Sequence, residues 1–175
     1  MNDVTEVTVY TDGACIGNPG PGGYAAILIS GKKRKEIVGG YRLTTNNRME
    51  ILAAVLALEA LKWSSRVTVH RDSRYLVDAV TKGWAERWRD NGWKRNAKEE
   101  AVNADLWERL LILCEKHEVE FVWVQGHAGH PENERCDLLS VAAARAEGLP
   151  ADIGYEERQA KQKARETAQR SLFEE

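Results

Sequence analysis

Between Asn47 and Trp63 the chain is apolar on nearly every side of a helix. Met49, Leu52, Ala53, Leu56, Ala60 and Trp63 fall on one face, and Ile51, Val55 and Leu58 fill much of the rest. A helix with so little polar surface must be buried, so another layer has to cover it. The preceding residues supply that layer. Glu6 to Asp12 alternates, with Val7, Val9 and Thr11 on one face and Thr8, Tyr10 and Asp12 on the other, which is the period of a strand. After a Gly- and Pro-rich turn at Gly17 to Gly23, Tyr24 to Ser30 reads as a second strand and Glu36 to Leu43 as a third. Short connections make these three an antiparallel meander.

Beyond the central helix the pattern changes. Arg66 to Arg71 reads as a fourth strand ending at Asp72, Ser73 to Val80 as a short helix, Asp105 to His117 as a helix, and Val119 to Val124 as a fifth strand. Pro131 suits the first turn of a last helix that runs to about Ala146. The order βββαβααβα implies that the late, helix-linked strands pair in parallel. The expected fold is α/β, a five-stranded mixed sheet with helices on both faces. The domain is expected to occupy residues 1–148. Residues 149–175 follow a Gly148-Leu149-Pro150 break, and Glu156 to Glu175 carries five acids and five bases with only a weak stripe of Ala160, Ala164, Ala168 and Leu172. A frayed helical tail is expected there.

At 175 residues, 43% hydrophobic and 30% charged, the chain can bury one core. No stretch is apolar enough to span a bilayer, and Met1 to Glu6 lacks the features of a signal peptide. A cytoplasmic monomer is expected. The net charge of −2 excludes a generally basic nucleic-acid binder, so any such binding needs a local patch. Cys15, Cys114 and Cys136 are too few and too scattered for a disulfide framework.

The chemistry rests on acids. Asp12 and Asp72 each end a strand, and ligands gather at the carboxyl ends of parallel strands; each also suits a simple turn. Glu50 lies in the first turn of the central helix, where Asn47-Arg48-Met49-Glu50 also fits a capping box with Asn47 as cap. Glu132, Glu134 and Asp137 all lie near the start of the last helix, and spacing does not choose among them. Clustered carboxylates repel unless a cation joins them, and oxygen-only ligands suit Mg²⁺ or Mn²⁺. Two such ions can clamp the attacking and leaving oxygens of a phosphodiester. A zinc site from Cys114, His117, His127, His130 and Cys136 matches the tetrahedral spacing poorly. Gly17 to Gly23 lacks the Lys-Ser/Thr and the following helix of a phosphate loop.

Four blocks carry a resemblance. Tyr10-Thr11-Asp12-Gly13-Ala14-Cys15 with Gly17-Asn18-Pro19-Gly20-Pro21-Gly22-Gly23, Thr44-Thr45-Asn46-Asn47-Arg48-Met49-Glu50, Asp72-Ser73, and Gly126-His127-Ala128-Gly129-His130-Pro131-Glu132-Asn133-Glu134-Arg135-Cys136-Asp137 resemble, in order, bacterial type-one ribonuclease H. The match runs from about residue 5 to 147. The resemblance implies an RNase H-like fold with a basic helical handle. It also implies a catalytic, metal-holding set of Asp12, Glu50, Asp72 and Asp137, two divalent ions with substrate bound, and cleavage of the RNA strand of an RNA–DNA hybrid to 5′-phosphate and 3′-hydroxyl ends. His127 matches the family's mobile-loop histidine.

Asn18, Thr45, Asn46 and Asn47 match positions that resemble the family's hybrid-binding residues, where amide groups reach 2′-hydroxyls and base edges across a wide minor groove. Lys82 to Lys98 resembles the handle. It holds Trp84, Trp88 and Trp93 and a local net charge of +4, with Arg87, Arg89 and Lys94 among the cations. Aromatic and basic residues together suit a nucleic-acid backbone, with the tryptophans expected mostly packed and the cations outward. Departures from the family pattern are Arg74, where glutamine is usual, Asp90 and Asn91 in the handle, and Leu138 after Asp137. Arg74 is expected to change hybrid contacts or to pair with a nearby acid. Two rival readings are a hybrid-binding module without catalysis and a related nuclease acting on DNA.

Overall fold

A computed structural model describes residues 4–126 and 128–173. Strands β1 (Thr5–Cys15), β2 (Gly20–Ser30) and β3 (Lys33–Thr44) are followed by α1 (Asn46–Glu59), β4 (Ser65–Arg71), α2 (Arg74–Thr81), α3 (Trp84–Asp90), α4 (Ala104–Lys116), β5 (Glu118–Trp123), α5 (Pro131–Ala144) and α6 (Ile153–Ser171). The sheet order is β3-β2-β1-β4-β5. The first three strands are antiparallel, and β1–β4 and β4–β5 are parallel, as the helix-linked order implies. The strands run longer than the alternation suggested. The glycine-rich segment is mostly β2, and only residues 16–19 form the turn. The handle contributes α3, a helix that the resemblance implies although the order read from periodicity omits it.

Alternation decides which layer each strand residue meets. Val7 and Val9 of β1, Val67 and Val69 of β4, and Ala26 and Leu28 of β2 share the main core with α1. Ala25 and Ile27 of β2 point to the other face and meet Cys136 of α5. The sheet thus lies between α1 and α5. The close fit of α5 to β2 needs Gly23. A Cβ there would collide with the Ser140 carbonyl and stand 2.7 Å from the Ala144 nitrogen.

The central helix is buried from Arg48 to Val55 and at Ala57 and Leu58, as its composition demands. Two details differ from the sequence reading. The N-cap is Thr45, whose hydroxyl accepts from the Arg48 N–H at 3.3 Å, so Asn47 caps nothing and Glu50 is released from the capping box. The helix also ends before Trp63, which is 77% exposed. Its spacing matched the apolar face, but the residues after Glu59 do not continue the helical backbone.

The tail forms a helix that is capped and anchored at its start. Asp152 caps α6 by accepting from the Tyr155 N–H at 3.3 Å and is itself buried against Arg48. Beyond that anchor α6 buries none of its residues, in keeping with its thin apolar stripe. No helix among the described residues is long and apolar enough to cross a membrane.

Candidate active site

The site forms at the carboxyl ends of β1 and β4. These strands pair in parallel with Tyr10 opposite His70, so two residues further on the chain delivers Asp12 and Asp72 side by side. The third acid comes from α1, whose first turn lies against β1. Gly13 permits that approach: a Cβ there would stand 2.5 Å from the Glu50 nitrogen and 2.6 Å from the Met49 carbonyl carbon. One oxygen from each of Asp12, Glu50 and Asp72 lies within 4.8 Å of the others. Gly13→Ala is therefore expected to push the first turn of α1 away from Asp12. A shift of about 1 Å at a reacting centre costs on the order of 10²-fold. A hybrid-cleavage assay on the folded variant checks this, and an unchanged rate would show that Glu50 tolerates the displacement.

Asp12 and Glu50 are buried and Asp72 is half-buried. The Asp12 carboxylate accepts the Gly13 N–H at 2.8 Å. Burial first, then the charge of Asp72, raise its pKa to about 7; Asp137 adds to the rise, while the Gly13 hydrogen bond and Arg71 oppose it. This repulsion is what a divalent cation relieves. The donor set is carboxylate oxygen alone, the kind of ligand that suits a hard divalent cation. Asp137, half-buried on α5, stands outside the group of three yet near enough for its charge to act on Asp12. The backbone carbonyl of Asp72 accepts the Trp123 indole N–H at 2.9 Å, which ties the end of β4 to β5.

A residue the sequence reading passed over sits behind these acids. Arg71 is fully buried, and its guanidinium donates to the Glu50 carboxylate. It also reaches the Thr11 hydroxyl and the Glu50 carbonyl, both at 3.4 Å, and the Ser73 carbonyl at 3.3 Å. Burial lowers its pKa to about 10 against the pull of Asp12 and Asp72, so it stays charged at neutral pH. Strand period was the available signal. Ser65, Val67, Val69 and Arg71 alternate inward, and a charge at an inward position needs a partner.

The candidate binding residues fall into two groups. Asn18 and Asn46 meet, the Asn18 side-chain oxygen accepting the Asn46 N–H at 3.0 Å, with Thr45 and exposed Asn47 beside them at the start of α1. In the handle, Trp84, Trp88 and Trp93 are half-buried against the main core, as expected. Arg87 and Lys94 are exposed, but Arg89 turns to Glu115 at 2.8 Å. Arg74 pairs with no acid among the described residues; its guanidinium stacks on Trp123, 4.1 Å from the ring centre. Arg158, Lys161 and Arg165 of α6 line a groove of about 580 Å³ with Arg95, Lys98, Glu99 and Glu100, and Arg165 pairs with Glu100 at 3.8 Å, so the tail brings both cations and an ion pair to the edge of the handle. His127 lies outside the described residues. The zinc alternative fails among the described residues. His117 accepts the Ser65 N–H at 3.2 Å, Cys136 donates to the Tyr10 carbonyl, and no gathering of His and Cys occurs.

The chain is similar to known proteins. A model of the RNase H family matches residues 4–145. A ribonuclease H of Syntrophus aciditrophicus is 65% identical over 150 residues, covering 86% of this chain and 87% of the relative. One from Trichodesmium erythraeum is 62% identical over 152 residues, covering 87% and 97%. A crystal structure described as a type 1 RNase H with the type 2 active-site motif superposes with a TM-score of 0.73 at 34% identity, over 90% of this chain and 82% of that one. A solved RNase H of the archaeon Halobacterium salinarum gives a TM-score of 0.59 at 26% identity, over 79% and 96%.

Proposed function

The chain belongs to the RNase H family, and on that premise we propose that it hydrolyses the RNA strand of RNA–DNA hybrids with Asp12, Glu50, Asp72 and Asp137 as the metal-holding set. The observation that carries the assignment of residues is the meeting of Asp12, Glu50 and Asp72 at the carboxyl end of two parallel strands. Mg²⁺, or Mn²⁺ in its place, is the metal this donor set favours. Asp12, Glu50, Asp72 and Asp137 would hold such ions, which would supply a metal-activated water and positive charge against the phosphodiester oxygens. The protein's share is to hold the acids. Gly13 admits α1, Trp123 fixes the Asp72 backbone, and Arg71 holds Glu50. Asp137 completes the set from α5, and His127 is assigned to proton relay or product release through the family motif that surrounds it.

Recognition of the hybrid is assigned to Asn18, Thr45, Asn46 and Asn47 beside the acids, with the handle cations on the backbone. Amide groups at the acids' edge read the 2′-hydroxyls that distinguish RNA from DNA. The test is cleavage of an RNA–DNA hybrid, duplex RNA and duplex DNA in Mg²⁺, in Mn²⁺ and in EDTA. Only the hybrid is expected to be cut, in its RNA strand, leaving 5′-phosphate and 3′-hydroxyl ends, and EDTA is expected to stop the reaction. Binding of the hybrid without cleavage in either metal would make the chain a binding module. Cleavage of duplex DNA would move it to another branch of nuclease activity.

A further inference from the structure

We infer that Arg71 is a built-in cation of the carboxylate site: it positions Glu50 and offsets the repulsion among the acids when metal is absent, and so weakens the site's hold on divalent metal. The inference rests on the metal-dependent reading proposed above. Three acids gathered at one place, with a fourth near enough to act on Asp12, repel one another, and burial strengthens the repulsion. An isolated buried guanidinium is equally unfavourable. Here each relieves the other. Arg71 is fully buried on the side of β4 that faces α1, one residue before Asp72, and it engages a Glu50 oxygen. Its remaining donors reach Thr11, Ser73 and the Glu50 carbonyl, so the fork is held from β1, from α1 and from the turn after β4. The guanidinium is therefore held at the back of the site by partners on three elements. A fixed positive charge at the back of the site remains in both states. It favours the metal-free protein and repels the incoming cation.

A purely structural arginine would behave differently, and thermal unfolding separates the two. The full chain is melted in EDTA and then across a MgCl₂ titration, for wild type, Arg71→Met and Arg71→Lys. Arg71→Met is expected to melt below wild type in EDTA, to recover most of the difference at saturating Mg²⁺, and to reach half of its Mg²⁺-induced rise at about a tenfold lower concentration. Arg71→Lys keeps the charge, so its Mg²⁺ midpoint is expected to stay near that of wild type. An equal loss of melting temperature with and without Mg²⁺, or an unmoved midpoint in Arg71→Met, would overturn the inference. If Arg71→Met folds only when Mg²⁺ is present, the inference is supported. If it folds in neither condition, Arg71→Lys decides, and a midpoint shifted away from wild type would overturn it. A wild type that shows no Mg²⁺-induced rise would instead remove the metal-dependent reading itself.

Discussion

Asp12→Asn is expected to cut an RNA–DNA hybrid at least about a thousandfold more slowly than wild type while making the metal-free protein more stable at pH 8. The rate loss follows from removing a charged ligand at the centre of the acid group. Metal ions supply several kcal/mol of transition-state stabilisation, and about 4 kcal/mol corresponds to three powers of ten. The gain in stability follows from linkage. Asp12 titrates near 7 in the fold against an ordinary value of 3.8, chiefly through burial and then through Asp72. A group whose pKa is raised by folding favours the native state most below its unfolded value. That contribution is lost as pH rises from about 4 through about 7. Metal-free wild type should therefore lose stability over this window, by at most about 4 kcal/mol from Asp12. Asparagine is neutral throughout and still accepts from the Gly13 N–H, so the variant should lack the slope. Melting curves in EDTA at pH 5 and pH 8, beside a cleavage assay in Mg²⁺, check both halves. Full activity would remove Asp12 from the metal set. A variant that melts below wild type at pH 8 would show that repulsion does not dominate at this position.

The four acids were legible to different degrees for a physical reason. Alternation and turn residues report which way a backbone points, so Asp12 and Asp72 stood out at the ends of strands. Glu50 was ambiguous because one position served a cap and a site equally well. The structure separates the two by giving the cap to Thr45 and the Glu50 carboxylate to Arg71. Asp137 was one of three acids at a helix start, and only the resemblance to a family chose it. Arg71 was missed although its inward register was visible in β4. A strand pattern shows that a side chain is buried, while its partner depends on how α1 docks across the sheet. The same limit applies to Arg74, expected to change hybrid contacts or to pair with an acid, whose guanidinium lies on Trp123, and to Arg89, expected to point at substrate and found on Glu115. Trp63 shows the converse error, since helical spacing continued past the residue where the helix itself stopped.

The tail's attachment gives the other large expected effect. Arg48 is 3% exposed and joins three stretches distant in sequence. Its guanidinium donates to Asp152 at 2.7 and 3.0 Å and to Asp105 at 2.7 and 2.9 Å, while the Thr44 hydroxyl donates to Asp152 at 2.6 Å. Arg48→Met is expected to destabilise the protein by about 3–5 kcal/mol, because it leaves the Asp152 carboxylate buried with its counter-charge gone. For a chain of this size that corresponds to roughly 10 °C in melting temperature. Replacing both members, Arg48→Met with Asp152→Leu, removes the stranded charge and is expected to restore part of the loss. What remains is about 1 kcal/mol for the α6 cap that Asp152 also provides, together with about 1–3 kcal/mol for the buried Thr44 hydroxyl left without its acceptor. The pH dependence points the same way. Burial pushes Asp105 up, but its bonds to Arg48 outweigh that and hold it below 3.8. Its contribution is therefore present above about pH 4 and lost as pH falls through the depressed value. Acid unfolding of wild type should be steeper than that of Arg48→Met in this range. Denaturant unfolding at pH 7 and pH 3 tests both points. A single variant within 1 kcal/mol of wild type at pH 7 would mean that the ion pairs are dispensable and that apolar contacts hold the tail.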